Sequence, residues 1–279
     1  MRRARERFPA PPTRPAANRA ALTAALAAAV LVTPVGGCAT APEPGFGEDL
    51  PPAPELYEQG LKQLETSLWY GIVPRVDYDG AIETFQSIID NYPFSEQAVE
   101  AELRIADAYF ESGRYDEALS YYRDFGDLHP QHEKVPYTIL RSALCHYEQL
   151  ASIDRDQSAT LAAIDELERL LREYPYAPET AQGEELLLEL RARLARSIMR
   201  KGDFYMARLE HQAAAHRYRR LIDEYPGLGL DAEALYKLGV CYDHMKRRDE
   251  ALRLYHVILE NYRDSAVAEE AQERITAAY

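Results

Sequence analysis

Cys241 and His244 stand one helical turn apart in "CYDHMK", a spacing that sets a thiol and an imidazole on one helix face. Such a pair could begin a zinc site, but zinc takes three or four protein ligands. A core cysteine and a surface histidine are the simpler reading. His129, His132 and Glu133 in "HPQHEK" have ligand chemistry but fall in a turn, where a solvated loop explains them as well. "PGLGL", residues 226–230, has two glycines but neither a preceding strand nor the spacing that cradles phosphate. No catalytic constellation emerges. The chain reads as a non-enzyme, with no cofactor and no metal.

The cysteine with the most distinctive surroundings is Cys38, in "LVTPVGGCAT". Six arginines, at positions 2, 3, 5, 7, 14 and 19, precede the apolar run "AALTAALAAAVLV". That run falls short of the roughly 20 apolar residues a membrane-spanning helix needs. A basic region, a short apolar region and small residues at the end make a secretory signal. Val35-Gly36-Gly37-Cys38 resembles a bacterial lipobox, in which the cysteine becomes the first mature residue and its sulfur carries a diacylglycerol. Val35 stands where leucine is commonest. The competing reading is ordinary signal cleavage beside an incidental cysteine. Acylation matters physically, because each buried methylene contributes about 0.8 kcal/mol and two or more chains hold a protein stably on a membrane. Residues 1–37 are therefore read as a lipoprotein signal peptide. Residues 38–54, with five prolines from Pro42 to Pro54, are read as a lipidated cysteine and flexible tether.

Without residues 1–37 the chain carries 26 basic and 45 acidic residues, a net charge of −19. So acidic a chain is a poor partner for nucleic acid, whose binding rests on neutralising phosphates. It disfavours broad adhesion to anionic lipid too, which leaves the acyl group as the anchor. Cys145 and Cys241 sit in apolar helical patterns and read as small hydrophobes rather than a disulfide.

The elements that must position any site repeat themselves. Ala81, Phe85 and Pro93 are spaced four and eight residues apart, and the spacing recurs at Ala118, Tyr122, Pro130 and at Ala163, Leu167, Pro175. It recurs again at Ala214, Tyr218, Pro226 and at Ala251, Tyr255, with Arg263 in place of proline. The residue before each turn is aromatic or histidine: Tyr92, His129, Tyr174, Tyr225 and Tyr262. Alanine admits a second helix at close range, the large residue one turn later fills the groove, and proline ends the helix. Upstream segments such as "AELRIADAYFESGRYDEA" show helical periodicity, with Gly113 at a turn, and strand alternation is absent. The pattern resembles the tetratricopeptide repeat, whose unit is a 34-residue helix pair. The expected fold is all-α, a tetratricopeptide-repeat solenoid of about five helix pairs over residues 55–279. Pro-to-Pro spacings of 37, 45 and 51 imply that some units are padded by longer helices or loops. Such a solenoid offers a concave face to a peptide or partner.

In "HRYRRLIDEYP", Arg219 has Asp223 four residues on, and Arg220 has Asp223 and Glu224 within a turn, so both can pair inside their own helix. Arg217 has Ala213, Ala214, Arg220 and Leu221 at the same offsets, and no acid. An unpaired cation on an acidic protein is a candidate for contact elsewhere in the fold or with another protein.

The repeats carry more specific wording. "DNYPFSEQAVEAELRIADAYFESGRYDEALSYYRDFGDLHPQH" resembles the first half of the BamD family, tetratricopeptide lipoproteins of the outer-membrane β-barrel assembly machine. The loop "DRDQSAT" with "REYPYAPETA" resembles a local signature of that family, which marks Asp154, Arg155 and Asp156. From the residues alone, Asp156 or Ser158 would serve as a helix N-cap. "AAAHRYRRLIDEYPGL" resembles the family's fourth repeat, and its arginine falls on Arg217. The resemblance covers roughly residues 55–265.

What it implies is a scaffold on the periplasmic face of the outer membrane, held there by lipid on Cys38. Arg217 would face the POTRA domain of the barrel subunit. The later repeats would dock that subunit, and the earlier ones would receive extended segments of unfolded outer-membrane proteins. Accessory lipoproteins are further partners that vary between lineages. Ala39, not aspartate, follows Cys38, which by analogy with known sorting gives no retention at the inner membrane. The alternative is a pilotin-like lipoprotein that escorts a secretin to the outer membrane. Three departures from the family stand out: an insertion around "YGIVPRVD", Ile198 where an acid is frequent, and Arg263 for the last proline.

Overall fold

The computed structural model describes residues 50–65, 67–69 and 73–278. The signal, the lipobox and Cys38 lie outside the described residues. Within them are eleven helices: α1 (Ala53–Leu64), α2 (Tyr78–Asn91), α3 (Glu96–Glu111), α4 (Tyr115–Leu128), α5 (Val135–Glu148), α6 (Ser158–Glu173), α7 (Thr180–Ala207), α8 (His211–Glu224), α9 (Asp231–His244), α10 (Arg248–Asn261) and α11 (Ala268–Thr276). Each helix packs on the next, giving five pairs, α1–α2 to α9–α10, closed by α11. The array is the expected helix-pair solenoid.

One element was not legible. Between α1 and α2, β1 (Ser67–Trp69) pairs antiparallel with β2 (Val73–Arg75), in the register Leu68 to Pro74. This short hairpin is an addition to an array that is otherwise helical, and the fold class is all-α. Strands of three residues are too short for alternation to register; β2 falls within the segment "YGIVPRVD" and β1 just before it.

The repeat alanine and large residue are joined by a third position seven residues after the alanine. Ala81/Phe85/Ile88, Ala118/Tyr122/Phe125, Ala163/Leu167/Leu170, Ala214/Tyr218/Leu221 and Ala251/Tyr255/Ile258 are each at most 1% exposed. Residues at i, i+4 and i+7 share one face, so the second helix of each pair has one deeply buried stripe. Each large member removed from water contributes roughly 1.5–3 kcal/mol. Opposite the aromatic stands a small residue: a Cβ on Gly202 would lie 2.5 Å from Tyr218 Cε1, and one on Gly239 2.5 Å from Tyr255 Cε1.

The residues before the turns are the helix C-caps. Tyr92, His129, Tyr174, Tyr225 and Tyr262 all leave the helix with φ between −134 and −123° and ψ between 42 and 56°. A following proline disfavours helical geometry at four of them. At the fifth, Arg263 does the work differently, its Nε donating to the Leu259 carbonyl at 2.7 Å and satisfying a terminal acceptor of α10.

A polar ladder runs beside these stripes. Asp107 accepts from the Tyr122 hydroxyl at 2.7 Å, Asp203 from Tyr218 at 2.7 Å and Asp243 from Tyr255 at 2.8 Å. The first helix of the following unit supplies a cation to each carboxylate. Arg141 Nε is 3.8 Å from Asp107, Lys237 Nζ 2.7 Å from Asp203 and Arg274 3.5 Å from Asp243. Burial, then the facing carboxylate, pushes all three tyrosine hydroxyls up from their ordinary pKa.

Two cores meet on α7. Leu187, Leu190 and Leu194 belong with α5 and α6, while Ala195, Ile198 and Met199 belong with α8 to α11. Ile198 is thus a core residue, 7% exposed. Cys145 and Cys241 are buried and free.

Candidate docking site

The α5–α6 connection, residues 149–157, contains the loop that the family resemblance singled out. Its organiser is Gln157, buried at 8% exposure. Gln157 Nε2 donates to the carbonyls of Ser152, Arg155 and Asp156 at 3.0, 3.1 and 3.3 Å, and its Oε1 accepts from Thr160 at 3.0 Å. Gln157 occupies the N-cap position of α6 without a side-chain capping bond, and Ser158 is already helical. The N-cap expected of Asp156 or Ser158 is therefore corrected. The Asp156 carboxylate instead accepts from the Ser158 hydroxyl, a bond that holds it below the usual carboxylate range. Arg155 is exposed and lends only backbone groups to the turn.

Two side chains lash this loop to α7. Arg193 donates to the Ala151 carbonyl, and Arg200 Nε sits 2.8 Å from Asp154 Oδ1. Asp154 and Arg217 thereby come to line one cleft of about 760 Å³, together with Arg200, Lys201, Asp203, Phe204 and Tyr205 of α7. Nothing in the spacing of Asp154 and Arg217, 63 residues apart in the chain, signals that they share a cleft.

The cleft has a definite electrostatic character. Three cations face two carboxylates, and both carboxylates are engaged, Asp154 by Arg200 and Asp203 by Tyr218 and Lys237. Among the described residues the Arg217 side chain forms no ion pair or hydrogen bond. Its guanidinium carbon lies 5.9 Å from the Tyr205 ring centroid. Phe204, 55% exposed, stands edge-on to Tyr205 at 5.6 Å, and Arg208 lies 5.0 Å over its ring. The arrangement has no nucleophile–base geometry. It suits an acidic side chain flanked by apolar surface.

Neighbouring arginines divide as their surroundings dictate. Arg220 pairs with Glu224 at 2.8 Å inside α8, as expected. Arg219 ignores Asp223 and reaches across to the Tyr242 hydroxyl on α9. The histidines also find local partners. His129 Nε2 lies 2.8 Å from Glu102, which staples the turn that had read as a free solvated loop. His244 stacks on His211, ring centroids 4.2 Å apart. Among the described residues no three His, Cys, Asp or Glu side chains converge on a metal-sized point.

Helix pairs stacked on a small-x3-large stripe, with turns capped alike in every unit, define a tetratricopeptide-repeat solenoid. The chain belongs to the outer membrane lipoprotein family YfiO, whose model matches residues 51–256. Among characterised relatives it is 29% identical over 248 residues to the outer membrane protein assembly factor BamD of Rickettsia prowazekii (strain Madrid E), covering 88% of this chain and 93% of that protein. The factor of the same name from Vibrio cholerae serotype O1 is 27% identical over 78% of this chain and 92% of its own. That from Caulobacter vibrioides is 26% identical over 82% of this chain and 72% of its own. Among solved structures, the TPR2AB domain of yeast Sti1 in its pHSP90 complex is similar at 17% identity, covering 81% of this chain and 82% of that one, TM-score 0.39.

Proposed function

We propose that this protein is a non-catalytic scaffold of the outer-membrane β-barrel assembly machinery, tethered to the periplasmic face of the outer membrane by lipid on Cys38. Membership of an outer membrane lipoprotein family and relatives named as assembly factors support this reading over the secretin-escort alternative. The observation that carries the docking part is Arg217, a cation left without a carboxylate partner beside exposed aromatic surface on a chain of net charge −14. On this reading the cleft takes an acidic residue of a POTRA domain in the barrel subunit. The earlier repeats receive extended segments of unfolded barrel proteins, and accessory lipoproteins are further partners. Asp154 acts through Arg200, which it holds at the cleft wall.

The test is capture of partners from gently solubilised envelopes by C-terminally tagged protein, with Arg217→Glu run beside it. A POTRA-bearing β-barrel protein recovered by the wild type and lost by the variant supports the reading. A secretin in its place overturns it. Equal recovery by the variant removes Arg217 from the interface.

A further inference from the structure

In the first three helix pairs, successive antiparallel packing sets every turn from second helix to next first helix on one edge. That edge carries large exposed apolar side chains among its charges. Phe94, in the α2–α3 turn, is 102% exposed and Tyr176, in the α6–α7 turn, is 98% exposed, while Leu128 at the end of α4 is 67% exposed. Phe94 and Tyr176 each directly follow the turn proline, so they project at matching positions one and three units along. Neither contributes to a core cluster, and nothing in the described fold needs an aromatic ring there.

The chain enters the fold at the same edge. Leu50, itself 41% exposed, and Pro51 are held there by the Tyr92 hydroxyl, which donates to the Pro51 carbonyl at 3.1 Å. Tyr92 is two residues from Phe94. The acyl anchor proposed at Cys38 is twelve residues upstream of Leu50, and twelve residues span at most about 40 Å. A 14-residue helix such as α2 is about 21 Å long, so the tether alone would let either edge of the array approach the lipid. The aromatics break that symmetry. Rings with an apolar body, and for tyrosine a polar tip, settle at the headgroup level of a bilayer.

We infer that the edge carrying Phe94, Leu128 and Tyr176 rests on the membrane that holds the lipid anchor, with both rings in the headgroup region. On the same edge the acids Glu96, Asp127, Glu133, Glu173 and Glu179 outnumber the cations Lys134 and Arg172, which selects a zwitterionic, phosphatidylethanolamine-type surface over an anionic one. The inference rests on acylation of Cys38. Its consequence is orientation: the solenoid stands with its first three units against lipid and the Arg217 cleft turned toward the periplasm.

The experiment uses the full lipoprotein purified from envelopes, with Trp69→Phe to silence the single tryptophan and Phe94→Trp, Tyr176→Trp or Phe204→Trp added one at a time. Each is bound to phosphatidylethanolamine–phosphatidylcholine vesicles containing lipid brominated high on the acyl chain. Loss of emission at positions 94 and 176, with emission at 204 retained, is the expected result. Vesicle-bound protein that keeps its emission at 94 and 176, or loses it equally at 204, overturns the inference while leaving the anchor intact. Protein that fails to float with vesicles and carries no acyl mass removes the anchor and the inference with it.

Discussion

Replacing Gly202 by alanine should destabilise the protein even though alanine is the better helix former. The gain from alanine inside α7 is about 1 kcal/mol. Against it, the new Cβ would lie 2.5 Å from Tyr218 Cε1 and 2.9 Å from two further ring carbons. Tyr218 is wholly buried, and its hydroxyl is fixed on Asp203 at 2.7 Å, so the ring has nowhere to retreat. Overpacking of this kind costs about 1–3 kcal/mol, and an unyielding ring puts the cost at the upper end. The expected net loss is about 1–2 kcal/mol, or a Tm lower by roughly 3–6 °C for a chain of this size. Gly126 supplies the matched control. It is also inside a helix, but a Cβ there would meet nothing closer than Thr138 Oγ1 at 3.9 Å. Gly126→Ala should therefore stabilise by about 0.5–1 kcal/mol. Urea unfolding followed by far-ultraviolet circular dichroism reads both signs. If Gly202→Ala is as stable as the wild type while Gly126→Ala gains, the close approach of α7 and α8 is not what holds that pair together.

The tyrosine ladder predicts alkaline weakening. Because folding raises the pKa of Tyr122, Tyr218 and Tyr255, their contribution is complete below the unfolded value near 10 and is lost as pH rises above it. The urea midpoint should fall above about pH 10, and less steeply in Tyr218→Phe; an unchanged slope would remove the tyrosine from the effect. Gln157→Ala should cost about 1–3 kcal/mol and expose residues 150–157 to protease, whereas Asp154→Ala, which loses one half-exposed ion pair, should cost under about 1 kcal/mol. Burial pushes the Cys241 thiol up to about 11 and Cys145 up to about 12, so a thiol reagent near neutral pH should label neither until urea unfolds the chain. Arg263→Ala should speed amide exchange at the end of α10 and leave α2, α4, α6 and α8, which have proline at that position, unaffected.

Much of this architecture was legible because the units repeat: a small residue, a large one four positions on and a turn signal eight further recur five times, and each falls where the periodicity put it. The third stripe position, Ile88 or Leu221, was missed because any helix offers many aliphatics at similar spacing. The ladder was missed for a different reason. Its three members lie on three helices, and only the roughly 34-residue offset between Asp107 and Arg141, or Asp203 and Lys237, hints that they meet. The lack of an acid one helical turn from Arg217 could be read because the absence of a local partner is itself a local pattern. Arg219 was misjudged because Tyr242, 23 residues away, offered a better site than Asp223. Gln157 escaped because an amide gives no sign in sequence that it will be buried and made the hub of a turn.

The padding in the Pro-to-Pro spacings is where the Arg217 cleft is built. The 45-residue spacing contains a nine-residue α5–α6 loop, against three residues between α3 and α4. The 51-residue spacing contains α7, 28 residues long against 16 for α3. At 1.5 Å per residue α7 runs about 42 Å and α8 about 21 Å, so α8 returns only halfway and its C-terminal turn abuts the middle of α7. Tyr225 and Leu228 there border a second cleft, of about 820 Å³, with Leu188 and Arg191. The same doubling carries Arg200, Phe204 and the start of α8 beyond the end of the third pair. The long loop then fills the step, with Asp154 reaching Arg200 and Gln157 holding the turn closed. Had either insertion occurred alone, the loop would have had no helix flank to lie on, or the flank no loop to complete it. Leu167 fits the same logic: where the other units after the first put a ladder tyrosine, this one has leucine, so the step between third and fourth pairs has no ladder rung and is carried by apolar packing, by Arg191 on Glu168 and by the Arg193 and Arg200 contacts with the long loop.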